Sequence, residues 1–192
     1  MLKSFENTIR ILSDALNTVD IDIFRHLVED CYISLLNGRK IVVSGLGKNV
    51  PICEKFVGTM NSLGLDAAFL HTNSAIHGDM GIVKPGDVLI ILTKSGETAE
   101  SIYLVNLMEK RGPCIWLISF KKDSTLAKQI PGRIILDMEH EGDMWNIMPN
   151  NSTTLNLIIL QNLAMEIAKK MNITLEDFKK NHPGGHIGEM LK

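Results

Sequence analysis

Four of the six histidines in this sequence lie in two short stretches that also contain glycine. The first stretch, HTNSAIHGD, begins at His71 and includes His77; the second, NHPGGHIG, includes His182 and His186. An imidazole ring can transfer protons near neutral pH, hydrogen-bond to hydroxyl groups, or bind a metal ion. Three functions are therefore open for these stretches: acid–base catalysis, binding of a polar substrate, and metal binding.

Metal binding has the least support from the spacing of these residues. His71 and His77 lack the i, i+4 spacing of a zinc-binding helix, and no cysteine lies near them. His71, His77 and Asp79 could converge within a loop, so a three-ligand site stays an alternative. Proton transfer, or hydrogen bonding to a polyhydroxylated substrate, suits a histidine pair better.

A glycine-containing stretch with a lysine follows the first β-branched run. In SGLGKN, residues 44–49, Gly45 and Gly47 allow backbone N–H groups to approach an anion. Lys48 adds a cation that suits a phosphate group or a developing oxyanion. The spacing matches neither a P-loop nor a dinucleotide-binding fingerprint, so a plain strand-to-helix turn is an alternative.

A second stretch, TKSGETAES at residues 93–101, carries several hydroxyl groups around one glycine. Hydroxyl groups at the start of a helix can bind phosphate without a metal ion. Ser95 or Thr98 could instead cap the helix, and one residue can serve both purposes. Glu97 and Glu100 lie near the helix start, where a carboxylate is either solvated or placed to act as a base.

Two further polar stretches have structural and functional interpretations. PNNSTTLN, residues 149–156, precedes a long apolar helix and either caps it or lines a polar pocket. The candidates for the cap are Asn151, Ser152 and Thr153. MEHEGD, residues 138–143, contains several acids, from which the residue types alone do not select one.

The stretch NHPGGHIG has a structural interpretation as well. His182 could end a helix before Pro183, because helices often end before a proline. The proline and the two glycines after it predict a turn without helix, and His186 is expected at the surface.

The elements that must position these residues alternate between strand and helix. Two helices are predicted within residues 2–36, where apolar residues recur at helical spacing. The predicted strands are 40–45, 67–70, 87–93, 114–119 and 133–137, and the predicted helices after them are 49–63, 97–110, 124–129, 153–171 and 174–180. Strands that are apolar on both faces predict a parallel sheet between helix layers, with ligands at the carboxyl ends of the strands.

The composition indicates one soluble globular domain. The chain has 192 residues, of which 45% are hydrophobic and 22% charged, and its net charge of −2 gives no electrostatic basis for binding nucleic acid or a membrane surface. No apolar run reaches the roughly 18 residues of a membrane span, and the N-terminus is not a signal peptide, so we expect a cytoplasmic protein. Cys31, Cys53 and Cys114 are expected to be reduced core thiols.

Taken in order, these stretches resemble the sugar isomerase (SIS) domain family. The resemblance is carried by VVSGLGKN, by HTNSAIHGDMGIVKPGDVLIILTKSGETAES and by PNNSTTLNLIILQNLAMEIAKKMNITLEDFKKNHPGGHIG, and it covers residues 38–192. The HGD and HPGG motifs are most similar to the arabinose 5-phosphate isomerase branch, of the KpsF/GutQ type. The helices of residues 1–37 are consistent with this, so residues 1–192 are expected to form a single SIS domain.

The resemblance implies a three-layer α/β/α fold with a five-stranded parallel sheet. It implies interconversion of D-ribulose 5-phosphate and D-arabinose 5-phosphate through an enediol, a first step towards the Kdo of lipopolysaccharide or capsule. It also implies a homo-oligomer, often a tetramer, with sites near subunit contacts. Aldose–ketose isomerisation moves a proton between two carbon atoms, so no cofactor is expected.

The resemblance also assigns site residues. The matched catalytic positions are Lys48, Glu100, Glu141 and His182. The matched substrate-binding positions are Ser44, Gly45, Gly47, Asn49, His71, His77, Thr93, Ser95, Gly96, Glu97, Thr98 and Thr153. No metal is required, although His71 also matches a position at which some members hold an inhibitory zinc ion.

We expect the catalytic positions to divide the work of an enediol reaction. Glu141 or His182 would transfer the carbon-bound proton, and Lys48 would stabilise the oxyanion. His77 and Glu100 would orient hydroxyl groups or assist proton transfer between oxygen atoms. Phosphate bound in the 93–98 loop would orient the reacting end of the sugar.

The sequence departs from the family pattern at three places. Asn49 stands where the family usually has serine, and Ser74 stands where it usually has an acid. Many members carry paired CBS domains after HPGG, whereas this sequence ends at Lys192, so the chemistry is expected without that regulation. The alternatives are a non-catalytic phosphosugar sensor, which needs only the phosphate loop, and an isomerase of another phosphosugar, which the HGD and HPGG motifs disfavour.

Overall fold

A five-stranded, all-parallel sheet forms the centre of the molecule in the computed structural model, which describes residues 2–190. The strand order is β2-β1-β3-β4-β5. The strands are β1 (Ile41–Gly45), β2 (Ala67–His71), β3 (Val88–Leu92), β4 (Cys114–Ser119) and β5 (Gly132–Ile135). The chain leaves β1 towards one edge and returns to the other side of β1 at β3, which creates a crevice between the loops that follow these two strands.

Eight α-helices and three short 3₁₀ turns surround the sheet in the described part of the chain. The helices are α1 (Leu2–Leu16), α2 (Ile21–Leu36), α3 (Val50–Ser62), α4 (Ala99–Glu109), α5 (Thr125–Gln129), α6 (Asn151–Lys170), α7 (Leu175–Lys180) and α8 (Gly185–Met190). The 3₁₀ turns are Gly47–Asn49, Ala75–His77 and Asp79–Ile82. No helix within residues 2–190 combines the length and the apolar character that crossing a membrane requires.

Two apolar cores cover the two faces of the sheet. Val43 and Ile90 face one way and pack in a core with residues of α1, α2, α3 and α6. Val42 and Leu89, their neighbours in sequence, face the other way and pack with residues of α4 and α5. Successive side chains of a strand point to opposite faces, so a strand covered on both sides is apolar throughout. This confirms the three-layer fold expected from the sequence.

The strands and helices that the sequence predicts all form, and their ends differ from the predicted ends by no more than two residues. The stretch after Pro183 was expected to be a turn without helix, and this was wrong from Gly185 onwards, where α8 begins. Glycine at position 188 makes the short helix compatible with its surroundings, because a Cβ there would lie 2.6 Å from the His182 carbonyl oxygen.

The expectation that all three cysteines lie in the core was correct for Cys31 and Cys53 and wrong for Cys114. Cys114 is the first residue of β4 and is exposed at the amino-terminal edge of the sheet. Its Sγ atom lies 3.4 Å from Oδ2 of Asp30, which also accepts a hydrogen bond from the Trp116 indole. The apolar residues around Cys114 in the sequence therefore predicted the strand correctly, but they did not indicate that its first residue is exposed.

Candidate active site

The loop after β1 brings Lys48 to the carboxyl end of the sheet. Gly45 ends the strand, and a Cβ at this position would lie 2.8 Å from the Cβ of Asn49, so only glycine lets the loop fold back this closely. Gly47 has a φ of +55°, which also favours glycine. The Lys48 side chain is exposed and free to reach a bound anion. The Ser44 hydroxyl lies inside, 3.0 Å from the hydroxyl of Thr72.

The loop after β3 lies beside the first loop, because Leu92 is the register partner of Gly45. Thr93 Oγ1 accepts a hydrogen bond from the Gly96 N–H, and Ser95 Oγ accepts one from the Glu97 N–H. Both hydroxyl groups therefore shape the turn while their own protons stay available to a ligand. The Thr98 side chain makes no capping bond, so the first-turn amides of α4 lack a side-chain cap at the end of this loop.

Gly96 is the tightest position of this loop. Its φ is +66°, and a Cβ would lie 2.2 Å from the Ser124 hydroxyl oxygen. Glu97, expected to be solvated or to bind substrate, accepts hydrogen bonds of 2.8 Å from the N–H and the hydroxyl of Thr125. These bonds hold the pKa of Glu97 below its usual value and attach the loop to the start of α5. Glu100 is exposed in the first turn of α4.

Glu141 is fully buried, although an acid after the last strand would ordinarily be solvated. One carboxylate oxygen accepts from the Lys94 ammonium and from the Ser152 hydroxyl, each at 2.7 Å. The other accepts from the N–H groups of Asn150 and Ser152, each at 3.0 Å. Burial by itself raises the pKa of Glu141, but these partners outweigh it and hold the pKa below its usual value.

Glu141 therefore occupies the place of the N-cap of α6. The expectation that Asn151, Ser152 or Thr153 caps this helix was wrong, because the helix starts at Asn151 and its first amides bond to an acid from the preceding loop. The Thr153 hydroxyl donates to backbone oxygens at its own helix end, including Asn150 O at 2.9 Å. Its predicted contact with phosphate would require this hydroxyl to turn.

The two histidines of the 71–79 stretch lie at and after the carboxyl end of β2. His71 ends β2 and is the register partner of Gly45, which places it next to the Lys48 loop. Its Nδ1 atom accepts from the Asn73 N–H at 3.3 Å. His77 is exposed on a 3₁₀ turn. Within residues 2–190 no three His, Cys, Asp or Glu side chains converge, so the alternative three-ligand metal site is not formed.

A family model of the SIS domain matches residues 34–166. The chain belongs to the SIS domain family. Arabinose 5-phosphate isomerase KdsD of Pseudomonas aeruginosa is 32% identical over 190 residues, which are 99% of this chain and 58% of that protein. Arabinose 5-phosphate isomerase KpsF of Escherichia coli is 36% identical over 151 residues, which are 79% of this chain and 48% of that protein. The chain thus spans about half the length of the curated relatives it matches.

A solved structure of similar fold contains a ligand. The protein c3406 of E. coli CFT073, in complex with arabinose 5-phosphate, has a TM-score of 0.86 to this SIS domain and is 27% identical to it, with 94% of each chain covered.

His182 lies away from the other predicted catalytic residues of this SIS domain. Its neighbour Asn181 donates to the carbonyl oxygen of Ser62, at the far end of α3. Lys48 lies just before the near end of α3, and 13 residues of helix separate these ends by about 20 Å. Within one copy of the chain, His182 and Lys48 therefore lie at opposite ends of α3.

The His182 ring is itself well fixed. It stacks on Phe178 with ring centroids 3.9 Å apart, and its Nδ1 lies 2.8 Å from the Phe178 carbonyl oxygen. Because a carbonyl oxygen only accepts, Nδ1 carries the proton, and Nε2 of the neutral ring is left as a proton acceptor. The Nε2 atom of this half-buried side chain thus lies on the side of the ring away from α7, where it can accept a proton.

Lys94 is the residue of this region that the sequence analysis missed. It lies between Thr93 and Ser95 in the 93–98 loop, and its ammonium group bonds to Glu141. Its position in the sequence could have indicated this contact. Side chains two residues apart in a strand share a face, and Leu92 faces α6, so Lys94 is expected on the α6 side of the sheet edge. A cleft of about 900 Å³ lies next to the crevice, and Ser95 and Glu97 are among its lining residues.

Proposed function

We propose that this SIS domain is an aldose–ketose isomerase that interconverts D-ribulose 5-phosphate and D-arabinose 5-phosphate. The observation that carries the proposal is the pairing of the Lys48 loop with the 93–98 loop at the crevice between β1 and β3. One loop offers a cation, and the other offers hydroxyl groups and the amides of a helix start. The similarity to proteins named arabinose 5-phosphate isomerase supports this choice of sugar.

In this proposal the phosphate group binds at the 93–98 loop and holds the sugar towards Lys48. Removing the proton next to the carbonyl group leaves an enediolate, whose negative oxygen the Lys48 ammonium stabilises. Returning the proton to the neighbouring carbon atom completes the isomerisation. His77 and Glu100, both exposed at this edge, would hold sugar hydroxyl groups. The product would feed Kdo synthesis, for lipopolysaccharide or capsule.

The position of His182 leads us to propose that the active form is a homo-oligomer. A base at the opposite end of α3 from Lys48 serves the reaction only if a second copy of the chain brings its His182 to this site. Large apolar side chains support such an assembly, because Trp145 is 63% and Ile147 is 73% exposed next to the Glu141 loop, and Phe5 on α1 is 65% exposed. Exposed apolar patches of this kind mark protein contacts.

The proposed reaction is tested with EDTA-treated protein and arabinose 5-phosphate, with other pentose, hexose and heptose phosphates in parallel. We expect ribulose 5-phosphate to form in the absence of metal. In deuterium oxide the recovered arabinose 5-phosphate should gain deuterium at C2, which follows from an enediol intermediate exchanging with solvent.

Two other outcomes would contradict the proposal. Binding of the sugar without turnover or deuterium exchange would favour a phosphosugar sensor, and turnover of a different sugar would favour another isomerase. Lys48→Met is the matched control, because it removes the ammonium group from an exposed side chain and should strongly lower turnover without affecting folding.

A further inference from the structure

The ion pair between Lys94 and Glu141 joins three elements at the sheet edge. Lys94 follows β3, Glu141 follows β5, and the remaining partners of Glu141 belong to the start of α6. The Lys94 Nζ atom lies 2.7 Å from Glu141 Oε1, and 37% of the Lys94 side chain is exposed while none of Glu141 is. The buried Glu141 carboxylate thus holds the Lys94 ammonium in place, while part of the Lys94 side chain stays accessible to solvent.

The hydrogen bonds of Glu141 are unfavourable for a proton-transfer base. Each of its oxygen atoms accepts two hydrogen bonds, which come from Lys94, from Ser152 and from Asn150. A base must direct a vacant lone pair at the proton it removes, and two donors per oxygen leave little such capacity. Its burial also separates it from the crevice.

The Lys94 ammonium, in contrast, has protons left for a ligand. It carries three, and Glu141 takes one. Lys94 directly precedes Ser95, so its side chain begins within the 93–98 loop. This is the loop for which we propose phosphate binding. The N–H groups of Asn150 and Ser152 already donate to Glu141, so the start of α6 is not available to bind an anion. The Lys94 ammonium beside it still has protons with which to bind one.

We propose that Lys94 is a phosphate-binding lysine of the active site, and that Glu141 is a positioning residue that acts through Lys94. This inference rests on the proposed function, because it specifies how the same site holds its substrate. A fixed ammonium group loses less conformational freedom on binding than a mobile one, which is the benefit of holding it with a buried acid.

The variants that test this are Lys94→Met, Lys94→Arg, Glu141→Gln and the double variant Lys94→Met/Glu141→Gln. Lys94→Met should raise KM for arabinose 5-phosphate and the inhibition constant of inorganic phosphate about tenfold, with kcat changed less than about threefold. Lys94→Arg should recover part of the affinity. Lys110→Met, which removes one exposed lysine at the far end of α4, is the matched control and should behave as wild type.

Glu141→Gln separates positioning from simple electrostatics by the sign of its effect. It removes a negative charge, so electrostatics alone would tighten phosphate binding, whereas loss of the Lys94 anchor would weaken it. We expect weaker binding, and we expect the double variant to bind phosphate no more weakly than Lys94→Met alone. Thermal unfolding of each variant before the assay establishes that it is folded.

Three results would overturn the inference: phosphate binding within twofold of wild type in Lys94→Met, tighter phosphate binding in Glu141→Gln, or additive losses in the double variant. Calorimetric titration of inorganic phosphate keeps this test separate from the reaction. If no phosphosugar is turned over, the proposed function fails, but a loss of phosphate binding in Lys94→Met still supports the role of Lys94. Absence of phosphate binding to wild type would refute that role.

Discussion

Asn156 of α6 donates a hydrogen bond from Nδ2 to Oδ1 of Asn49, over a distance of 2.9 Å. Asn156 is buried, and its own Oδ1 has no partner within the described residues. Asn49 lies next to Lys48, at the position where the family usually has serine. The bond therefore connects the longest helix of the chain to the loop that carries the proposed oxyanion-binding cation.

Removing this connection should affect the Lys48 loop. In Asn156→Ala the Asn49 amide oxygen loses its buried donor, which costs about 1–3 kcal/mol in the free energy of unfolding. We also expect kcat for arabinose 5-phosphate to fall about tenfold, since small displacements of a catalytic group are costly. Urea unfolding and initial rates measure the two effects, with Asn162→Ala, on the exposed side of α6, as the control. Unchanged kcat in Asn156→Ala would show that the loop is held without it.

Lys48→Met should lower kcat by about 10²–10³, because the proposed role of Lys48 is to stabilise the enediolate. Its thermal unfolding temperature should stay within about two degrees of wild type, because the side chain is exposed. Steady-state kinetics with calorimetric binding of inorganic phosphate provides the check. Near-normal kcat would remove Lys48 from the chemistry. A large loss of phosphate affinity would instead make it a phosphate-binding residue.

His182→Ala should lower kcat as strongly, and its mixture with Lys48→Met should regain activity. If each site combines Lys48 from one subunit with His182 from another, subunit exchange between the two inactive variants rebuilds some complete sites, up to about one quarter for a dimer. The measurement is activity before and after exchange in mild urea. Continued inactivity of the mixture, with hybrid oligomers detected by native mass spectrometry, would contradict a shared site.

Gly96→Ala should destabilise the protein and the 93–98 loop together. The added Cβ would lie 2.2 Å from the Ser124 hydroxyl oxygen, at a backbone φ of +66° that alanine adopts poorly. We expect a loss of about 2 kcal/mol or more in the free energy of unfolding, with weaker binding of inorganic phosphate. Gly58→Ala, on an open surface of α3, should stabilise by up to about 1 kcal/mol. Equal stability of the two variants would refute this interpretation.

The stabilisation provided by Glu141 should depend on pH. The pKa of Glu141 in the folded protein lies below its ordinary value of 4.5, so its contribution is fully present above that value and is lost as the pH falls through the folded pKa. Glu141→Gln should therefore be less stable than wild type by about 3 kcal/mol near pH 7, and this difference should shrink below pH 4.5.

The control for this pH series is Glu139→Gln, which removes an exposed acid paired with Arg10 at the surface. Surface pairs contribute little, so this variant should follow wild type closely. Chemical denaturation of the three proteins from pH 7 down to the acid limit of folding gives the comparison. A stability difference for Glu141→Gln that does not change with pH would show that packing, and not the charge of Glu141, is responsible.

The sequence by itself determined the fold and indicated the loops of the candidate site. The run VLIIL, residues 88–92, is apolar at every position, as expected of a strand covered on both faces, and glycines and hydroxyl residues after the strands indicate the sheet edge where ligands bind. Helix and strand are local choices of the chain, so their periodicity is visible in a single sequence. The Lys48 and Ser95 loops could be selected in this way.

Only the tertiary structure decided which residues far apart in the sequence contact each other and which of them are buried. Glu141 is separated from Lys94 by 47 positions in sequence, and nothing in either neighbourhood indicates that burial and an ion pair will join them. Likewise, the HPGG motif identifies His182 as a candidate, but the length of α6 carries it to the other end of the sheet. Burial and separation depend on the packing of elements that are far apart in the chain, and this packing has no local signature in the sequence.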